Sequence, residues 1–203
     1  QHHARSELSL EMLENFNPCF VLDLTATPKK ESNIISYVDA VQLKNEHMVK
    51  LPVIVYNRDS QSEVLIDAID LRNKLEEIAS AEYAKTGKYI RPIALFQAQP
   101  KGKEDATTFE KLRDKLVDAG IPAEQIAIRT ADVNELKNVE LMSLSCPIRY
   151  IITVNALKEG WDCPFAYILA SLANKTSQVD VEQILGRILR LPHTSQHLSL
   201  IHI

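Results

Sequence analysis

Gln183, Gly186, Arg187 and Arg190 stand at i, i+3, i+4 and i+7, so on a helix they share one face. Val181, Ile184, Leu185 and Ile188 repeat that spacing two residues out of phase, about 200° around the helix. The pattern predicts an apolar stripe for a core and a Gln/Gly/Arg/Arg stripe nearly opposite. Glycine in a helix interior costs about 1 kcal/mol, so Gly186 suggests that something approaches the backbone there. Two guanidiniums beside that gap suit a phosphate, which arginine grips through paired N–H donors. An amphipathic helix with a solvated basic face fits the same residues, and the helix dipole alone accounts for one arginine near a C-terminus. Ser177 with Asp180 makes a capping box, and Leu191-Pro192 supplies the stop.

Two further blocks are predicted to sit where open α/β sheets bind ligands, beyond the carboxyl ends of strands, and the Gln183–Arg190 helix is expected at that same end. Thr25-Ala-Thr27-Pro28 follows the apolar run Cys19–Leu24; its hydroxyls can link neighbouring groups or simply close a turn. Asn155-Ala-Leu-Lys-Glu-Gly160-Trp161-Asp162-Cys-Pro164 follows the run Tyr150–Val154. Gly160 permits close backbone approach, and Asp162 can accept from a ribose hydroxyl or hold an arginine. Trp161 is a base-stacking platform or a loop anchor. Gln97 and Thr130, at strand ends, are candidates to touch a nucleic-acid backbone or are plain strand-end polar residues. Thr153 and Asn155 join them as candidate nucleic-acid or coupling residues. The histidines have no metal-ligand spacing, so no metal site is predicted. Cys163 lacks a paired histidine, which argues against nucleophilic catalysis.

The elements that would position these groups alternate. Short apolar runs at Cys19–Leu24, Val53–Tyr56, Ile93–Gln97, Ile126–Arg129, Tyr150–Val154 and Ala166–Ala170 read as strands. A helix from Gln61 to Lys85 is predicted from Val64, Ala68, Leu71, Leu75 and Ile78, closed by Gly87. A second is capped by Thr107 with Glu110, carries Phe109, Leu112 and Leu116 inward, and ends at Gly120 and Pro122. Continuous apolar strands alternating with helices predict an α/β domain whose parallel sheet is covered on both faces.

Bulk properties are those of a globular chain of 203 residues, 45% hydrophobic and 25% charged. Net charge is −4, so no global basic field advertises nucleic acid and any polyanion site must be local. Cys19, Cys146 and Cys163 form no C-x-x-C, which fits a reducing cytoplasm. No apolar run approaches the ~18 residues of a membrane span. The chain begins at Gln1 without methionine, and Leu198-Ser-Leu-Ile-His-Ile203 resembles a translated sequencing adapter. A truncated reading frame is therefore expected, with 198–203 outside the fold.

Taken in order, Thr-Ala-Thr-Pro, Leu-Lys-Glu-Gly-Trp-Asp-x-Pro and Gln-x-x-Gly-Arg-x-x-Arg resemble the third, fifth and sixth motifs of superfamily-two helicases. The last two look most like the helicase subunit of type III restriction enzymes. The resemblance spans roughly residues 18 to 192 and implies two RecA-like lobes clamping ATP. Residues 1–31 would end the first lobe, and 32–197 would form most of the second. It also implies that Arg187 and Arg190 reach the ATP phosphates, one as arginine finger, with Gln183 orienting groups around the γ-phosphate. Gly160 and Asp162 would contact the nucleotide or couple it to DNA, Gly186 would meet the nucleotide, and Thr25 and Thr27 would link hydrolysis to strand movement. Double-stranded DNA and a modification (methyltransferase) subunit are the implied partners, with a cytoplasmic location. No Gly-x-x-x-x-Gly-Lys-Ser/Thr loop and no acidic magnesium box occurs in the sequence. ATP with magnesium would be held mainly by the first lobe, and this chain alone is expected to be inactive. A non-catalytic nucleotide-binding or interaction module, or a helicase of repair or RNA metabolism, would use the same motifs.

Overall fold

Consecutive residues of a strand point to opposite faces of its sheet, so a strand buried at every position needs cover on both sides. Ile93–Gln97 and Tyr150–Thr153 are buried throughout. A computed structural model of the protein describes residues 11–12, 14–22, 24, 33–50, 53–99, 108–154, 163–172, 186, 188–192 and 201–202, with backbone alone at 40, 201 and 202. Two compact units are distinguished, Gln1–Asp39 and Ala40–Ile203; the boundary expected from the motifs lies at residues 31/32. The second unit runs α1 (Ala40–Asn45), β1 (Val53–Ile54), α2 (Gln61–Thr86), β2 (Ile93–Gln97) and α3 (Phe109–Asp118). A 3-10 turn (Ala123–Gln125), β3 (Ile126–Arg129), β4 (Tyr150–Thr153), β5 (Ala166–Ser171) and β6 (Ile201–His202) follow.

Four of these strands form one all-parallel sheet in the order β3-β4-β2-β5. This is the expected α/β architecture, consistent with a RecA-like lobe. Leaving β2, the chain crosses β4 to reach β3; leaving β4, it crosses β2 to reach β5. Right-handed crossovers in opposite directions must use opposite faces. The crevice between the carboxyl ends of β4 and β2 is therefore the topological switch point, where such sheets bind ligands.

The two long helices form where the sequence signals place them. Ser60 caps α2, its hydroxyl accepting from the Glu63 amide, and Gly87 closes it at φ 71° with its N–H on the Tyr83 carbonyl. That positive φ is one glycine adopts without strain. The buried stripe of α2 is Leu65, Ala68, Arg72, Leu75 and Ala79. The stripe expected from apolar spacing is rotated from this, and Ile78 is in fact 49% exposed. The difference is Arg72: an arginine looks like a surface position, yet here its Nε donates to the Pro92 carbonyl and its guanidinium lies 5.8 Å from the Tyr150 ring centroid. Helix α3 is capped by Thr108, one residue later than expected, and buries Leu112 and Leu116 completely. Each such side chain contributes about 1.5–3 kcal/mol through removal from water. Helix α2 packs on β5 and β2, and α3 on β4.

Strand β3 lies at the sheet edge, and a turn covers it. The Glu135 amide donates to the Ile128 carbonyl, and the Ile128 amide donates to the Glu135 carboxylate at 2.7 Å. Arg129 forms an antiparallel bridge with Asn134. At the far end of the chain β6 pairs in parallel with β1, so two residues of the stretch expected to lie outside the fold form a short ladder. Among the described residues, no helix is long and apolar enough to cross a membrane.

Strand expectations at Ile93, Ile126, Tyr150 and Ala166 hold to within a residue. The run Cys19–Leu24 does not: its described residues are not a strand, and Phe20, Val21, Leu22 and Leu24 are each more than half exposed. A lone apolar run satisfies its backbone only when a neighbouring strand pairs with it, and none among the described residues does.

Candidate functional site at the strand tips

The last residues of all four parallel strands are polar and lie in one register row. Arg129 pairs with Thr153, Thr153 with Gln97, and Gln97 with Ser171. Residues in register on neighbouring parallel strands project to the same face, so the row presents a guanidinium, two hydroxyls and an amide together. Gln97 is 6% exposed and its Oε1 accepts from the Ser171 hydroxyl at 3.0 Å. The Gln97 carbonyl accepts from the Leu172 amide, and Gln99 Nε2 donates to the Leu172 carbonyl at 2.9 Å. These bonds fix the exit of β5 against β2.

Thr153 behaves differently. It is 1% exposed, its carbonyl accepts from the Ala98 amide at 2.7 Å, and its hydroxyl has no hydrogen-bond partner among the described residues. The Nε of Arg129 is also buried without a partner among the described residues. Buried polar groups are nearly always paired, so two orphaned atoms on neighbouring strands at the switch point mark this row as the strongest ligand-facing feature of the sheet. Gln97 and Thr153, singled out in the sequence, are thus brought together. Thr130 is not part of the row. Its amide and hydroxyl are both engaged with Val133, closing the turn over β3. Arg129 and Ser171 are not among the residues the sequence singles out; their signal is the register, since each ends a strand beside a candidate.

Gly186 and Arg190 stand elsewhere, and this corrects the expectation that the last motif joins the strand tips. Gly186 and Ile188 are helical, but the helix stops before Leu189, and Arg190 forms an antiparallel bridge with Val49. Arg190 therefore does not continue the helical stripe to i+7. The cause is Lys50. Its Nζ donates to the carbonyls of Ile188 at 2.7 Å and Ala166 at 2.6 Å, while its amide donates to the Leu189 carbonyl at 2.6 Å. These bonds take the carbonyls at the helix end, and Pro192 disfavours helical backbone at Leu191 just beyond. Because Lys50 joins the Ile188 carbonyl to that of Ala166, which opens β5, Ile188 lies at the amino end of the sheet, whereas Ser171 closes β5 about 16 Å further along by strand rise. Arg190 follows two residues later, with an exposed side chain. Ile188, 1% exposed, occupies the core as its apolar spacing required. A Cβ built on Gly186 would meet no atom within 4 Å, so nothing described in this chain demands a glycine there.

The amino end is cationic. Arg72 and Arg91 both bond Glu76, the latter at 2.9 Å, and Arg149 donates to the Cys146 and Ile148 carbonyls at 2.7 Å. Burial lowers the Arg149 pKa from its ordinary value, and the neighbouring Arg91 adds to that pull.

Thr25, Thr27, Asn155, Gly160, Asp162, Gln183 and Arg187 lie outside the described residues. Among the described residues no group of histidine, cysteine, aspartate and glutamate could hold a metal ion. No protein-family model matches the chain, and no curated protein matches it either.

Proposed function

We propose that the chain is the second RecA-like lobe of an ATP-dependent DNA helicase or translocase, of the type found in type III restriction systems. Two ends of one sheet would then do different work. At the carboxyl tips, Thr153, Gln97 and Arg129 would meet the nucleic-acid backbone, with the Asn155–Asp162 block following β4 directly. At the amino end, Arg190, with Arg187 and Gln183 preceding it, would reach the phosphates of ATP held by a first lobe. Magnesium and the phosphate loop are assigned to that first lobe, because neither motif occurs here.

The observation carrying this reading is the exposed Arg190 on a backbone bonded on both sides, immediately beyond the buried Ile188. A finger needs such a rigid mount, since it must stabilise charge in the transition state without first being ordered. The test is DNA-stimulated ATP hydrolysis by this lobe joined to one bearing a phosphate loop. Arg190→Ala is expected to cut turnover by about 10³-fold or more, and unchanged turnover would retire the assignment. The distance of Arg190 from the strand tips favours a second reading, a non-catalytic nucleotide-binding or interaction module. That reading expects nucleotide or DNA binding by the joined lobes with no DNA-stimulated hydrolysis.

A further inference from the structure

We infer that Lys50 is a positioning residue that sets where Arg190 stands. As regards activity, this rests on the function proposed above; the anchoring itself rests on geometry alone. Lys50 is 0% exposed, although lysine is among the residues least often fully buried. Moving an ammonium out of water is costly unless its charge and its donors are met. Here the Ala166 and Ile188 carbonyls accept from Nζ, and the Tyr167 ring centroid lies 4.1 Å away. The carbonyls at a helix C-terminus carry partial negative charge, and the face of an aromatic ring attracts a cation. One side chain thus joins the helix end at Ile188 to the first residue of β5.

The backbone on either side completes the clamp. The Lys50 amide donates to the Leu189 carbonyl, and the Leu191 amide donates to the Met48 carbonyl at 3.0 Å. Arg190 is therefore bracketed by bonds at 188, 189 and 191, all to the Met48–Lys50 segment. If the ammonium is lost, the helix end is free to slide relative to β5, and Arg190 moves with it.

Hydrogen exchange on the 203-residue chain tests the anchoring. In Lys50→Met the amides of Lys50 and Leu191 should exchange about tenfold faster, equivalent to roughly one lost hydrogen bond, while Phe96 and Ile152 keep their rates. Unchanged exchange at Leu191 overturns the proposal. Should Lys50→Met fail to fold, Lys50→Gln, which keeps a neutral donor on a shorter stem, is judged on the same amides.

ATP hydrolysis by the joined lobes tests the consequence. Lys50→Met should lower kcat by about 10²-fold, the loss expected from a shift of about 1 Å, with KM unchanged. Adding it to Arg190→Ala should produce no further loss, whereas additive losses overturn the positioning role. If Arg190→Ala alone leaves turnover intact, the functional proposal fails, and the exchange result still decides whether Lys50 anchors this segment.

Discussion

Thr153 and Gln97 stand opposite each other in register at the carboxyl ends of β4 and β2, yet among the described residues only Gln97 has a partner for its side chain. An inward hydroxyl left unbonded at a switch point weakens the fold and suits a ligand that accepts from it or donates to it.

Thr153→Val should therefore leave the chain as stable as before, or more stable by about 1 kcal/mol, because an isosteric methyl replaces an unsatisfied buried hydroxyl. Urea denaturation measures this. A loss of more than about 1 kcal/mol would mean that the hydroxyl does bond within the chain.

Gly186→Ala should stabilise the chain by about 0.5–1 kcal/mol, since alanine is the better helix former and its Cβ finds open space. In the joined lobes the same change should reduce ATP turnover if another lobe approaches that backbone. A destabilised chain would show that the open space seen at Gly186 does not persist in solution.

Ile188→Asp should unfold the second unit. The side chain is 1% exposed among core residues, and an unpaired carboxylate there costs several kcal/mol. Circular dichroism should show the cooperative transition lost or moved far down in temperature; a change of only a few degrees would place Ile188 at the surface.

Stability should fall in alkali. Burial raises the pKa of Tyr167 above its ordinary 10.0, and burial likewise raises Tyr150, with Arg72 opposing. The folded chain thus holds these protons at pH values where the unfolded chain has released them. Their contribution is complete below about pH 10 and is lost as pH rises above it, at about 1.4 kcal/mol per pH step for each tyrosine still protonated in the fold. Tyr167→Phe keeps the ring beneath Lys50 and removes one ionising group, so its stability should fall less steeply above pH 10. An unchanged slope would show that Tyr167 is not buried.

The strands were legible in the sequence because strands buried on both faces must be apolar throughout, and Ile93–Gln97 and Tyr150–Thr153 are nearly so, with a polar residue only at the last position. Helix ends were equally readable at Gly87, where only the local chain decides. Long-range capture was not. Nothing about Met48-Val49-Lys50 foretold that a lysine would cross the interior to the Ile188 carbonyl. Arg72 was hidden for the same reason: its charge announces a surface, and only the Tyr150 ring and the Pro92 carbonyl make its burial tolerable. The strand-tip candidates Gln97 and Thr153 were found individually, but their alignment with Arg129 and Ser171 depends on register, which short apolar runs do not encode by themselves.

The Glu135 bonds to Ile128 carry one more consequence. Exposed rims of β-sheets invite strands from other molecules, and β3 would be such a rim. Its outward N–H and C=O at Ile128 are already occupied, so a foreign strand could add there only after peeling away the chain's own turn. Self-association by sheet extension is blocked on this flank for as long as that turn stays closed.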